Sequence, residues 1–165
     1  MSTPTMDPIA TAVHAVRRAV TLQEAVLGIH DALVKTMAVK GVKVIRFGDA
    51  FSIIEGTSDP TSFYSPGTKI AYGMTEDMTA FLSSMVRGES TILRPGSVDL
   101  GLAGIPMAAE GIRAVLGVPL MEEGVVLGAL AVGALHEDTF TEHDVVTVER
   151  IRDAVGGSLL TLADT

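Results

Sequence analysis

The chain has no cysteine and no tryptophan, and only 4% of its residues are aromatic and 19% charged. Without thiols, disulfides, thiolate metal centres, thiol nucleophiles and thioether-linked cofactors are all excluded. With so few aromatics the interior must be built from Val, Leu, Ala, Ile and Met, and the eight methionines suit irregular gaps in it. Basic charge is scarce as well: 12 Lys and Arg stand against 20 Asp and Glu, a net charge of −8. Only Arg17 and Arg18 are adjacent. The clustered cations that grip a phosphate backbone or an anionic membrane are missing, so neither nucleic acid nor membrane is an expected partner. The longest apolar stretch, GVVLGALAVGAL at 124–135, is too short and too glycine-rich to span a bilayer. No basic segment followed by an apolar run opens the sequence, so the expectation is a cytoplasmic protein without a signal peptide.

The 165 residues are 47% hydrophobic with a mean hydropathy of +0.41, which suits one well-buried domain. The reading is a loose start over 1–6 and one domain over 7–163. Asp7 before Pro8 has the form of a helix N-cap followed by proline at the first helical position. Ile9, Val13, Val16 and Val20 then recur at helical spacing. Thr21 and Glu24 have capping-box spacing, with Val20 placed for a hydrophobic staple. Leu22, Val26, Ile29 and Leu33 continue a second amphipathic helix.

The pattern then changes. VKVIRFGD and AFSIIEGTSD are β-rich runs separated by Gly48-Asp49, a hairpin signal. Residues 56–73, rich in Gly and Pro, read as a long connection with room for a short strand, and such long loops are often binding loops. Met78, Phe81, Leu82 and Met85 mark a helix closed by Gly88, and STILRP reads as a short strand. GSVDLGLAGIPMAAEG reads as a loop with one helical turn. IRAVLGVPL and GVVLGALAVGAL form the clearest hairpin, turning at MEEG, and their apolar residues fall on both strand parities, as in central strands. A last helix starts near Thr141, with Val145, Val148, Val155, Leu159 and Leu162 on one stripe that Arg152 interrupts. Ile151 and Leu160 lie off that stripe and favour a second buried face. Gly156-Gly157 inside this helix marks either close approach of another helix or a bend. The order α-α-β-β-loop-α-β-loop-β-β-α predicts an α+β fold: an antiparallel sheet with helices gathered on one side.

Within this order, Val118-Pro119-Leu120, Gly124 to Leu130, and Phe140-Thr141-Glu142-His143-Asp144 opening the terminal helix together resemble a GAF domain, the small-molecule-binding sensory module. The two leading helices and the hairpin after them fit the same layout, so the resemblance extends over 7–163. It implies a five- or six-stranded antiparallel sheet with the N- and C-terminal helices on one face. Loops and a short helix would cover a pocket on the other face. It also implies a homodimer through the terminal helices that relays ligand state to an attached output domain. This length leaves no room for one, so the expectation is a stand-alone module, a fragment, or a subunit acting on a separate output protein. Several branches of the family are not implied. The Asn-Lys-Phe-Asp-Glu pentad of cyclic-nucleotide binders is absent, and bilin attachment and methionine sulfoxide reduction both depend on cysteine. None of the four histidines is singled out as a haem ligand.

His136, Glu137, Asp138, His143 and Asp144 have the chemistry of metal ligands, but the two histidines flank a turn instead of sharing a helical face. A capping box from Thr141 to Asp144, with Phe140 stapled on Val145, accounts for more of these residues. No nucleophile elbow, P-loop or dinucleotide fingerprint is present, and no catalytic residue is assigned. The expected function is therefore a non-enzymatic sensor of an unidentified small molecule, with loops 56–74 and 95–111 ordered by ligand. The alternatives are an interaction module with a self-filled pocket and a His/carboxylate metal protein. The candidate pocket residues are Tyr64, Tyr72, Arg94 and Arg113, lined by Phe47, Phe51, Met74, Phe81 and Met107. A buried arginine there would favour a carboxylate or phosphate ligand.

Overall fold

The structure, a computed structural model, describes residues 7–59, 62, 64–71, 75–100 and 104–164. The start over 1–6 lies outside the described residues, as do the candidates Tyr72 and Met74. Two helices lead, α1 (Pro8–Arg18) and α2 (Leu22–Leu33), followed by strands β1 (Val39–Phe47), β2 (Phe51–Thr57) and β3 (Lys69–Ala71). Helix α3 (Glu76–Val86), strand β4 (Thr91–Leu93) and the short α4 (Gly104–Ala109) come next. The chain closes with β5 (Ala114–Glu122), β6 (Val125–Ala134) and α5 (Glu142–Ala163). The strands form one six-stranded antiparallel sheet in the order β3-β2-β1-β6-β5-β4.

Local chemistry sets the element ends. Asp7 accepts a hydrogen bond from the Ile9 amide at 3.0 Å, and Pro8 occupies the first turn of α1. Thr21 accepts from the Glu24 amide at 3.1 Å, while the Glu24 carboxylate accepts from the Val20 amide at 3.2 Å. Val20 itself is 76% exposed. It is neither part of the α1 stripe nor a staple, because α1 ends at Arg18 and leaves Val20 in the connection. Between β5 and β6 the turn residues Glu123 and Gly124 both take positive φ, 52° and 81°, the twist that suits a two-residue hairpin loop. Thr141 and Asp144 form the full reciprocal capping box of α5.

The main core lies between the sheet and helices α1, α2 and α5. Val42 and Val44 of β1, Leu116, Val118 and Leu120 of β5, and Leu130 and Val132 of β6 are completely buried there. They meet Val26, Ile29 and Leu33 of α2 and Val148, Ile151, Val155 and Leu159 of α5. Ile151 and Leu160 thus widen the one buried face of α5 and do not form a second face. α1 rides on α2 where Gly28 brings the backbone onto Ala15; any Cβ at Gly28 would collide with the Ala15 methyl. In α5, Gly156 is buried, with Leu120 3.4 Å from where its Cβ would stand, whereas Gly157 faces open space. Helix α5 is continuous across both, so the pair permits close approach of the sheet and causes no break. Arg152 folds along this helix and donates to the Pro119 carbonyl at 2.9 Å. β4 pairs only with residues 115–117 of β5, so that carbonyl lies beyond the β4 ladder and a side chain takes it.

Candidate functional site

The opposite face of the same strands is built from smaller residues. Gly41 of β1, Gly117 of β5 and Ala129, Ala131 and Gly133 of β6 alternate with the large residues that enter the main core. Helix α3 lies across this second face, its Met85 and Phe81 so close over Gly117 that a Cβ there would overlap the Met85 sulfur. Gly128 sits directly against the Ile45 carbonyl of β1 and has no room for a side chain.

Between α3 and the sheet is a cavity of about 80 Å³. Its floor is Gly41, Lys43 and Ile45 of β1, Ser52 and Ile54 of β2, and Ala131 and Gly133 of β6. Met78, Phe81, Leu82 and Met85 of α3 roof it, with Met107 of α4 and Tyr64 closing the ends. The roof is tied down at the start of α3. Thr75 caps the helix through the Met78 amide at 3.1 Å and donates its hydroxyl to the Asp99 carbonyl at 2.7 Å. Asp77 accepts from the Asp99 amide at 2.7 Å. Met78, Leu93 and Leu100 bury together beneath this junction.

Among the described residues the lining is apolar apart from Lys43, Ser52 and Tyr64. Burial pushes the Lys43 ammonium below its ordinary value of 10.5, and the negative charges of Glu110 and Asp59 only partly oppose that. Tyr64 is pushed up, first by burial and then by the charge of Glu110, so its hydroxyl stays protonated. Nearby, Lys40 pairs with Asp59 at 2.8 Å.

Of the sequence candidates, Tyr64, Phe81 and Met107 line this cavity. Phe47 packs beside it against Leu82, Met85 and Ala129. Phe51 stands apart at the β2–β3 edge with the Lys69 ammonium 4.7 Å from its ring centre. Arg94 donates to the Glu137 carbonyl at 3.0 Å, Arg113 is exposed, and neither lines the cavity. The cavity's cation is Lys43 instead, which the sequence reading did not pick out because it alternates with Val42 and Val44 as any solvent-facing residue would. Ser52, which has no nucleophile-elbow context in the sequence, lines the cavity as well. The polar cluster after β6 is spent on structure. Thr139 donates to the His136 carbonyl at 2.8 Å, the Glu137 carbonyl takes Arg94, and Asp144 closes the capping box. Among the described residues no three His, Asp or Glu side chains stand where they could share a metal ion.

A profile described as a GAF domain matches residues 19–157. No curated protein matches the sequence. Among solved structures, the GAF domain of a phosphoenolpyruvate-protein phosphotransferase from Coxiella burnetii superposes with a TM-score of 0.72 at 16% identity, over 93% of this chain and 91% of that one. The chromophore-binding domain of a bacteriophytochrome from R. palustris gives 0.66 at 12% identity; 95% of this chain is covered, spanning only 60% of that longer one. A free methionine-R-sulfoxide reductase from Neisseria meningitidis, solved with its substrate, gives 0.69 at 11% identity over 99% and 96%. Likeness at these identities speaks for the fold alone.

Proposed function

The chain belongs to the GAF domain family, and from that premise we propose that it is a non-enzymatic receptor whose ligand occupies the cavity between α3 and the sheet. The observation that carries this reading is the division of the sheet. One face is filled by three helices, and the other keeps a mostly apolar cavity with the half-buried Lys43 in its lining. Cavities of this make-up, apolar walls with a few polar groups, are the usual form of a small-molecule site.

The proposed response is a shift in the packing of α3 and of the segment at Asp99 joined to it at Thr75 and Asp77. Two contacts would carry that shift to the terminal helix. Ser90, just beyond α3, donates to Glu149 of α5 at 2.7 Å, and Arg152 of α5 holds the Pro119 carbonyl of β5. A homodimer through α1 and α5 would pass the change to a partner. Val146 on the outer side of α5 is 42% exposed and available for such packing, whereas Ile151 and Leu160 are already used inside.

The small volume of the cavity favours a second reading, an interaction module whose pocket α3 fills with its own Phe81, Met78 and Met85. Native mass spectrometry joined to a thermal-shift screen of small metabolites separates the two. The receptor reading expects a retained small molecule or a ligand-dependent rise in Tm. A dimer that carries nothing and responds to no compound would replace it with the interaction module.

A further inference from the structure

The three basic residues on one side or the other of β1 are treated differently. Lys40 has Asp59 at 2.8 Å, and Arg46 has Glu55 at 3.2 Å and Asp164 at 2.7 Å. Lys43, between them, lines the cavity, and among the described residues its ammonium makes neither an ion pair nor a hydrogen bond. A half-buried charge drawn away from water without a contacting counter-ion carries a desolvation cost. Glu110 and Asp59 act on the ammonium electrostatically but do not offset its burial. A guest that brought one negative charge would supply what the protein leaves out, and the gain is larger between dry walls than in water.

Charge count and size narrow the guest. Among the described residues no arginine lines the cavity and one ammonium does, which matches a single carboxylate better than the several oxygens of a phosphate, for which a guanidinium fork is the better grip. The volume of about 80 Å³ is roughly half that of a ~150 Å³ apolar cavity that admits benzene. Ile54, Val115, Ala131 and Gly133 offer a short apolar wall for a hydrocarbon body. Resting on the reading of this cavity as a ligand site, we infer that it takes a short-chain aliphatic monocarboxylate, with the carboxylate against Lys43 and the chain along Ala131 and Gly133.

The test titrates the full chain with sodium acetate, propionate, butyrate and valerate at constant ionic strength, and in parallel with propionamide and butyramide. Amide chemical shifts and Tm are followed. With so few ligand atoms, the expected affinity is millimolar. The expected result is saturable shifts at Ala131, Gly133 and Lys43 with the acids, at least about tenfold weaker with the amides, and a similar loss in Lys43→Met. In the unmodified protein acid binding should also weaken as pH rises through the Lys43 titration, a readout that does not depend on the variant folding. Amides binding as tightly as acids, or acid binding unchanged in Lys43→Met or across that pH range, would overturn the carboxylate inference and leave the receptor reading standing. No saturable shift at the cavity with either series, together with an empty native mass spectrum, would overturn both.

Discussion

The two faces of the central strands differ in size more than in polarity. On the helix-covered face stand Val42, Val44, Leu116, Val118, Leu120, Leu130 and Val132, all fully buried against α1, α2 and α5. On the other face the same strands present Gly41, Lys43, Gly117, Ala129, Ala131 and Gly133. Large side chains on both faces would have filled both layers. Small ones on one face let α3 settle close at Gly117 and Ala129, while Lys43, Ala131 and Gly133 line what remains open. Interiors pack to nearly uniform density, so a cavity at the centre of a sheet requires missing side-chain volume, and here glycine and alanine supply it.

Substitutions on the two faces should therefore behave differently. The largest effect is expected for Leu116→Ala on the helix face. It should destabilise by about 3 kcal/mol in urea denaturation, since the rigid layer cannot collapse into the space. An effect below about 1 kcal/mol would mean that this face is not the main core. Next comes Gly117→Val on the opposite face, expected to cost about 2 kcal/mol by pushing Met85 and Phe81 off the strand. Raised amide exchange confined to α3 would check it, because the helix layer is untouched.

Lys43→Met should act in the reverse sense and stabilise the ligand-free protein by about 1 kcal/mol at neutral pH by removing a partly desolvated charge that no contacting carboxylate offsets. Because folding lowers the Lys43 pKa from 10.5, the unfolded chain binds more protons between the lowered value and 10.5. Parent stability thus rises with pH in that window relative to the variant. The gap between the two proteins should be widest below the lowered pKa and close as pH approaches 10.5. Matched Tm curves against pH that ran parallel throughout would contradict the burial of this ammonium. The smallest effect is expected at Gly133→Ala, a gain of about 0.5 kcal/mol. Alanine suits a strand better than glycine, and the nearest atom to its methyl would be on Ile112 at 3.5 Å, an ordinary contact. That methyl also narrows the cavity, so the variant should bind any guest more weakly while unfolding at a higher temperature.

Much of the architecture was readable before any coordinates. The helix starts at Asp7, Thr21 and Thr141 follow from short side chains that accept from backbone amides left over at a first turn, a local interaction that needs no tertiary partner. The MEEG turn is equally local. The parity of the pocket was not read, because β5 and β6 are apolar on both faces and hydropathy alone cannot orient them. A size alternation was nevertheless there. Leu130 and Val132 alternate with Ala129, Ala131 and Gly133, and Leu116 and Val118 flank Gly117; volume with period two carried the signal that polarity did not. The metal-like cluster at 136–144 and the staple at Val20 show the reverse limit. Residue types with suitable chemistry were present, but their neighbours in space decided what they do.

The amino-acid sequence by itself determined the elements, their order, the antiparallel sheet and the family, because hydrophobic period, caps and turn residues act over a few positions along the chain. Only the tertiary structure decided that Lys43 is a cavity residue and not a solvent-facing one, and that Arg94 and Arg113 lie outside the cavity. Whether a lysine on a strand meets water or a helix depends on what crosses above it. Lys43 shares its cavity with Tyr64 and with Met107 of α4, and Glu110 just beyond α4 acts on its ammonium; these groups come from segments far along the chain, an arrangement that spacing along the sequence does not encode.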